Sequence, residues 1–258
     1  MFSFGNRSVK QIVRAAKGRQ HYIALFNMWK LYPDFVNSTR RYLTSYGEYP
    51  CQIAVRTPTG VVRPTLFVRD DILTVNEIFC RRDYPCDERL RIVVDVGSNI
   101  GISALYFLSR NSTSHCYLFE PNHANVEKLK SNLQGLEDRY SLSTDAVSDM
   151  EGTVSFGIEP TGRYGGIGLP MEETIQVKCR NVNDVLEEVL SRHNVIDVLK
   201  LDIEGAEVRT VNAIDPGFYS RIDRIFLEAN VKGELIPSVY LQQQYGSVVQ
   251  LQRRSELR

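Results

Sequence analysis

Four acidic residues follow runs of apolar residues, which is where buried strands are expected to end. They are Asp95, Glu120, Asp202 and Glu228. In a parallel sheet the carboxyl ends of the strands share one edge, so these four carboxylates are expected to converge beside a ligand. A single acid at such a position is often a helix cap or a solvated loop residue. Four of them beside a glycine-bearing turn at residues 97–101 favour a ligand site.

The turn after the first of these strands narrows the class of ligand. The strand that ends near Asp95 runs into a turn bracketed by Gly97 and Gly101, and an amphipathic helix follows. This order places backbone N–H groups beside the ligand, and Glu120 can accept hydrogen bonds from both hydroxyls of a ribose. A dinucleotide fold would carry a third glycine where this chain has Ala104, and Asp95 would repel a pyrophosphate. The pattern therefore favours S-adenosylmethionine over NAD.

Each part of this cofactor has an expected partner. The N–H groups of the turn suit its carboxylate, and Asp95 or Asp202 suits its ammonium. Glu120 is expected at the ribose. Asp145 and Ala146 are expected at the adenine edge, where a carboxylate can accept from the exocyclic amine, although Asp145 could also be a plain turn residue. The predicted cofactor contacts are Asp95, Gly97, Ser98, Asn99, Gly101, Glu120, Pro121, Asp145, Ala146 and Asp202.

Five segments carry a family resemblance. They are the glycine turn at 95–101, residues 74–79 with Tyr84, residues 119–122, residues 145–149, and a K-x-D-x-E-G-x-E pattern at 200–207. Over about residues 62–230 the chain resembles the FkbM-type methyltransferases of the class I methyltransferase superfamily. The resemblance implies a Rossmann-like fold, S-adenosylmethionine as methyl donor, and O-methylation of a hydroxyl in a sugar, glycolipid or other natural product. It also implies that residues 74–84 cover the cofactor, with Glu77 and Tyr84 near its methionine end.

The predicted catalytic residues are Asp202, Glu204 and Glu228, with the resemblance pointing to the first two. A hydroxyl is a poor nucleophile until its proton is leaving, so a nearby base would raise the rate by about 100- to 10,000-fold. With an unperturbed pKa near 4, a carboxylate would mainly orient the hydroxyl and accept its proton late. Glu207 is predicted to share a helical face with Glu204, so one of these two glutamates is equally expected to stabilise the helix start. No metal is predicted, because no firm spacing of ligands accompanies these acids, although oxygen ligands suit Mg²⁺.

The elements that position these residues alternate along the chain. Strands are predicted near residues 91–96, 115–120, 140–144, 195–202 and 221–228, separated by helices near 100–109, 122–134, 183–192 and 205–213. This alternation predicts an α/β fold with a doubly wound, mostly parallel sheet. Residues 152–177 interrupt it with two short strands, near 153–156 and 174–177. The glycine-rich segment 162–168 between them is predicted to be a flexible loop, since no Lys-Ser or Lys-Thr pair makes it a phosphate cradle.

Residues 1–85 are predicted to form an N-terminal helical and hairpin extension, and residues 86–258 the cofactor-binding domain. Helical spacing within residues 8–46 is carried by Ile12, Val13, Ala16, Ile23, Leu25, Phe26 and Trp29, with an interruption near Pro33. Residues 51–57 and 61–69 predict two short strands around a turn. The aromatic side chains of this extension suit either a helical core or stacking on a sugar, and the extension is alternatively the surface of a homodimer.

Composition limits the class of partner. The chain has 31 basic and 31 acidic residues, so its net charge of +0 gives no global field for nucleic acid, and none is predicted as a partner. The five cysteines include no C-x-x-C pair, and no apolar run is long enough to span a membrane, so a cytoplasmic enzyme is expected. Two alternatives remain at this point. One is a nucleoside-binding partner protein without turnover, and the other is an NAD-dependent oxidoreductase.

Overall fold

The computed structural model describes residues 3–4, 7–8, 19–44 and 46–255. The chain divides into two compact units, Met1–Pro85 and Cys86–Arg258. The helical positions predicted at Ile12, Val13 and Ala16 lie outside the described residues. No helix within the described ranges is long and apolar enough to cross a membrane.

The first unit contains short strands and helices. They are β1 (Ser3–Phe4), β2 (Arg7–Ser8), α1 (Arg19–Leu31), α2 (Phe35–Thr44), β3 (Cys51–Gln52), β4 (Val55–Thr57), β5 (Gly60–Val62), β6 (Thr65–Leu66) and α3 (Asp71–Val75), which continues as a π-helical segment Asn76–Arg81. Pro33 lies between α1 and α2, as predicted, and Asp34 accepts a hydrogen bond from the Asn37 amide at the start of α2. Strands β4 and β5 pair as the predicted hairpin.

The second unit alternates strands and helices. They are β7 (Ile92–Val96), α4 (Ile102–Leu108), β8 (His115–Phe119), α5 (His123–Asn132), β9 (Tyr140–Ser143), β10 (Ala146–Ser148), β11 (Gly152–Ile158), β12 (Gly165–Ile167), β13 (Glu173–Asn181), α6 (Val182–Arg192), β14 (Val198–Leu201), α7 (Glu207–Asn212), α8 (Pro216–Tyr219), β15 (Arg224–Glu228), β16 (Tyr240–Tyr245) and β17 (Val248–Arg253). The five predicted strands and four predicted helices of the alternating pattern are all present.

The main sheet has seven strands in the order β16-β17-β15-β14-β7-β8-β9. Strand β17 runs antiparallel to both of its neighbours, whereas the other neighbouring strands pair in parallel. The predicted doubly wound, mostly parallel sheet is therefore confirmed. The chain leaves β7 first towards β8 and β9 and later returns on its other side as β14, so the order reverses between β7 and β14. The carboxyl ends of strands at such a reversal are the usual place for a ligand crevice.

Each face of this sheet has its own set of side chains. On one face Val94 and Leu199 cluster with Val185 and Val189 of α6. Because side chains alternate along a strand, Asp95 and its register partner Lys200 lie on the opposite face. The helix α4 packs there, and its Ser103 contacts Asp95.

A second sheet, in the order β10-β13-β11-β12, accounts for the interruption at residues 152–177. Strands β11 and β12 pair antiparallel as a hairpin. The prediction of a flexible loop at 162–168 is thus wrong for Gly165–Ile167, which forms β12. Because glycine has no side chain, Gly165 and Gly166 allow β12 to approach its neighbours closely. A strand of this composition shows no alternation of apolar and polar residues, so the sequence pattern does not predict it.

The start of α7 also differs from the prediction. The helix begins at Glu207 rather than near residue 205, because Glu204 and Gly205 have φ values of 50° and 94°. Both values lie in the left-handed region, so these two residues cannot belong to a right-handed helix. Glu204 and Glu207 therefore do not share a helical face.

Candidate active site

The glycine turn after β7 brings two loops into backbone contact. Gly97 has a φ of 80°, and a Cβ built on it would overlap the backbone carbonyl oxygen of Asp202. Any larger residue would push apart the ends of β7 and β14, the two strands at the reversal of the sheet. The glycine is required here for close approach as well as for its backbone conformation.

The N–H groups of this turn make hydrogen bonds within the protein. Those of Gly97 and Ser98 donate to the Phe119 carbonyl, and that of Gly101 donates to the Ser98 carbonyl. The Ile100 amide donates to the side chain of Asn99. The sequence predicted that these N–H groups face the carboxylate of the cofactor. In the structure they donate to acceptors within the protein instead.

Glu120 is a buried acid held by the backbone. It is 5% exposed, and its two oxygens accept hydrogen bonds from the amides of Asn99 (2.8 Å) and Asn122 (2.9 Å). Burial raises the pKa of this carboxyl to about 7, although those hydrogen bonds oppose the shift. A carboxylate oxygen has two lone pairs, so each keeps capacity for one further donor. Two hydroxyls on adjacent ribose carbons are donors of that kind.

Asn125 provides an additional polar group near Glu120, and sequence reasoning had missed it. Its Nδ2 donates to the Gly162 carbonyl at 2.8 Å, and hydrogen bonding by its side chain lowers the pKa of Glu120. Its buried Oδ1 has no hydrogen-bond partner among the described residues. A buried acceptor without a partner is unfavourable, so this group suits a donor on a ligand. Like the oxygens of Glu120, it is a group whose chemistry fits the hydroxyl and amine donors of a nucleoside.

Asp95 lies deeper than the prediction expected. Its side chain is fully buried, and its oxygens contact Lys200 Nζ at 3.0 Å and the Ser103 hydroxyl at 2.6 Å. Ser98 lies beside it and donates to the Asp95 carbonyl. The sequence suggested that this carboxylate faces a cationic tail, whereas the structure gives it partners inside the protein.

Lys200 is a second residue of the candidate site that the sequence analysis did not predict there. Its Nζ lies 3.0 Å from Asp95 Oδ1, 2.9 Å from the Gly97 carbonyl and 3.3 Å from Asp202 Oδ2. Burial lowers the pKa of this lysine, but the charges of Asp95 and Asp202 raise it and prevail, so its net shift is upward. Two signals were available: Lys200 is a single lysine within the apolar strand β14, and it opens the K-x-D-x-E-G-x-E pattern.

The charges of two predicted catalytic acids act on the third. Burial is the largest cause that raises the pKa of Glu204 to about 7, and the negative charges of Asp202 and Glu228 contribute to the same rise. Glu228 is exposed and accepts a hydrogen bond from the Ser247 hydroxyl at 2.9 Å. The raised pKa corrects the expectation of an ordinary carboxyl, and it makes Glu204 a stronger base than a solvated glutamate.

Glu207 has a structural role. Its carboxylate is buried and accepts the backbone N–H groups of Ile203 and Gly205. These bonds fix the loop that precedes α7. The alternative that one of the two neighbouring glutamates stabilises the helix start stays a prediction, because the amides that Glu207 accepts precede the helix.

The hairpin β11–β12 contacts the same region. The Asn99 side chain donates to the Arg163 carbonyl at 2.9 Å. A Cβ built on Gly166 would lie 3.2 Å from the Cβ of Glu204, which means that β12 packs against this acid. The hairpin therefore contributes to the burial of Glu204, which is the largest cause of its raised pKa.

The other residues predicted to contact the cofactor lie partly in the second unit and partly in the first. Asp145 lies partly exposed in the loop between β9 and β10, whereas Ala146 and Pro121 are buried. In the first unit, Glu77 contacts Arg81 at 3.5 Å and Tyr84 is buried. The assignment of Glu77 and Tyr84 to the cofactor stays a prediction. Across the described residues, no group of three or more His, Cys, Asp or Glu side chains is arranged to hold a metal ion.

The parallel sheet with a glycine turn and a buried acid at its reversal defines a protein of the class I methyltransferase type. The model of the FkbM methyltransferase domain matches residues 95–243, which is more than half of the chain. This chain belongs to the FkbM methyltransferase family. Membership implies S-adenosylmethionine as the methyl donor.

Two curated proteins and one solved structure illustrate the similarity. The chain is 27% identical to "Methyltransferase 1" of Beauveria bassiana over 185 residues, covering 62% of this chain and 74% of that protein. It is 24% identical to the AMB antimetabolite synthetase AmbE of Pseudomonas aeruginosa over 224 residues, covering 70% of this chain but 10% of that protein. A methyltransferase FkbM from Methylobacillus flagellatus KT aligns with a TM-score of 0.40 and 13% identity, covering 62% of this chain and 44% of that chain.

Proposed function

We propose that the chain transfers a methyl group from S-adenosylmethionine to a hydroxyl of a sugar, glycolipid or other natural product. The observation that carries this proposal is the placement of Asp202, Glu204 and Glu228 at the carboxyl ends of the neighbouring strands β14 and β15, next to the glycine turn after β7. The raised pKa of Glu204 supports it. When bound, S-adenosylmethionine supplies an electrophilic methyl group. The remaining chemical requirement is removal of a proton from the acceptor, and the acid cluster is suited to it.

The nucleoside end of the site is assigned to Glu120 and its surroundings. We place the ribose hydroxyls on the two oxygens of Glu120, which two backbone amides already orient. Asp145 and Ala146 follow the next strand, β9, and we place the adenine there. Pro121, Ser98, Asn99 and Gly101 shape the walls between these positions. The hydrogen bonds inside the turn make this part of the site rigid, so little ordering is required when the cofactor binds.

The acceptor end is assigned to the acid cluster. Glu204 is the proposed base, because its pKa of about 7 allows it to be ionised at neutral pH and still to accept a proton. The charges of Asp202 and Glu228 contribute to that raised pKa, and Glu228 can accept a hydrogen bond from the acceptor. The remaining rate acceleration comes from holding the hydroxyl in line with the methyl group. Such positioning can lower a reaction barrier by about 7 to 11 kcal/mol.

The test is a transfer assay with methyl-labelled S-adenosylmethionine and paired acceptors. Each pair consists of a sugar with a free hydroxyl and the matching amino sugar. We expect label in the ether product of the hydroxyl compound and a large loss of that label in Glu204→Gln. Label only in the amine product would contradict O-methylation. Tight cofactor binding without transfer to any acceptor would favour a nucleoside-binding protein without turnover.

A further inference from the structure

The buried lysine at the reversal of the sheet links three parts of the site. An ammonium group has three N–H donors. In Lys200 this group faces the Asp95 carboxylate, the Gly97 carbonyl and the Asp202 carboxylate, at 3.0, 2.9 and 3.3 Å. Its contacts therefore tie the end of β7, the glycine turn and the end of β14 together.

The two acids beside Lys200 differ in their access to a ligand. The Asp95 side chain is 0% exposed, whereas that of Asp202 is 27% exposed. Asp95 also receives the Ser103 hydroxyl on its second oxygen. Of these two acids, Asp202 is the one that a ligand can reach.

The charges of these three side chains do not cancel one another. Lys200 contributes one positive charge, while Asp95 and Asp202 contribute two negative charges, which leaves one negative charge in excess. The nearby Glu204 and Glu228 are also acidic and add to it. One ammonium group on a ligand would balance the excess, and its attraction to Asp202 would be strong because the site is partly shielded from water.

We propose that Lys200 is a positioning residue that neutralises Asp95 inside the protein and holds Asp202 by Oδ2, so that Asp202 receives the ammonium of the cofactor's amino-acid tail. This inference rests on the proposed use of S-adenosylmethionine. It assigns to Asp202 alone a role for which the sequence offered both Asp95 and Asp202. It also explains why a lysine stands in an otherwise apolar strand.

The experiment compares two probes by isothermal titration calorimetry. S-adenosylhomocysteine carries the amino-acid tail, and 5′-methylthioadenosine has the same nucleoside and thioether without the tail's amino and carboxyl groups. The ratio of their dissociation constants therefore reports recognition of the tail. Lys200→Met is made together with Asp95→Asn, so that no uncompensated charge stays buried, and Asp95→Asn alone is the reference. Lys178→Met, at an exposed lysine of β13, is the matched control for the loss of a lysine.

We expect the double variant to lose at least tenfold in the preference for S-adenosylhomocysteine, while its affinity for 5′-methylthioadenosine stays within about threefold of the reference. The Lys178→Met variant should keep the preference of the parent. An unchanged preference in the double variant would overturn the proposal. If that variant does not fold, Asp202→Asn decides: a preference equal to that of the parent would overturn the assignment of the ammonium to Asp202.

The same titrations separate this inference from the proposed function. A parent protein that binds neither probe would remove the proposed cofactor and the inference with it. A parent that binds both probes, with a preference that does not depend on Lys200, would remove only the inference.

Discussion

The acids along the sheet edge fall into two groups with different surroundings. Asp95, Glu120 and Glu207 are buried, and donors from the protein itself occupy their oxygens. Asp202, Glu204 and Glu228 are more accessible, and the charges of the first and third raise the pKa of the second. We therefore call the first set the framework acids and the second set the reactive acids. The comparison teaches that acids whose oxygens accept hydrogen bonds from the protein fix the shape of a site, whereas more accessible acids are available to a ligand.

The largest expected effect concerns a framework acid, Glu120. Changing Glu120 to Ala leaves the amides of Asn99 and Asn122 without their acceptor and removes the proposed ribose contacts. Hydrogen bonds to a charged group contribute about 1.5 to 3 kcal/mol each, so affinity for S-adenosylhomocysteine should fall at least 100-fold by calorimetry. Glu127→Ala, at an exposed glutamate of α5, is the control and should bind normally. Equal affinity in both variants would show that Glu120 does not hold the ribose.

The next effect concerns a reactive acid, Glu204. Glu204→Gln keeps the shape of the side chain and removes its charge. Turnover with a hydroxyl acceptor should fall at least about tenfold while affinity for S-adenosylhomocysteine stays nearly constant, because the lost interaction is made in the transition state. Glu187→Gln, on the exposed face of α6, should retain full turnover. A parallel loss of cofactor affinity in Glu204→Gln would place this acid among the framework acids.

The pH dependence of turnover sharpens the comparison. Glu204 must be ionised to act as a base, so at saturating cofactor the rate should rise with pH through about 7 and then level off. Glu228→Gln removes one negative charge that raises this pKa, so the rise should move to lower pH by roughly half a unit to one unit. A pH profile that stays flat between 6 and 8 would exclude Glu204 as the titrating base.

The smallest expected effect is on stability and concerns Glu207. Glu207→Ala leaves the amides of Ile203 and Gly205 without their acceptor at the start of α7. The free energy of unfolding should fall by about 1 to 3 kcal/mol in urea titrations, which is the cost of buried donors left unpaired. Glu187→Ala serves as the surface control. If Glu207→Ala is as stable as this control, the framework role of Glu207 is wrong.

Much of the fold could be predicted from the sequence because its central strands are mostly apolar. The runs around Val94, Leu118 and Leu199 are short and rich in apolar residues, which is typical of buried parallel strands. Strands β16 and β17 were not predicted. The three consecutive glutamines of β16 interrupt any apolar run or alternation, and the alternation of β17 extends over only a few residues.

The site was predicted less completely, since burial is not visible in residue types. Asp95 and Asp202 both lie at the ends of apolar strands. Asp95 is buried against Lys200, whereas Asp202 is partly exposed. The sequence also could not show that the raised pKa of Glu204 depends on close packing of the β11–β12 hairpin. The glycines of that hairpin indicate flexibility when read alone, whereas their small size is what allows the contact.

The most direct test of the central claim is calorimetry of the unaltered chain with S-adenosylhomocysteine and with NAD. The proposed site places the ribose on the buried acid Glu120 and the ammonium of the cofactor on Asp202, and Asp95 beside the glycine turn would repel a pyrophosphate. We therefore predict one binding site for S-adenosylhomocysteine per chain and no measurable heat with NAD. Binding of NAD without binding of S-adenosylhomocysteine would contradict the proposed methyl-donor site.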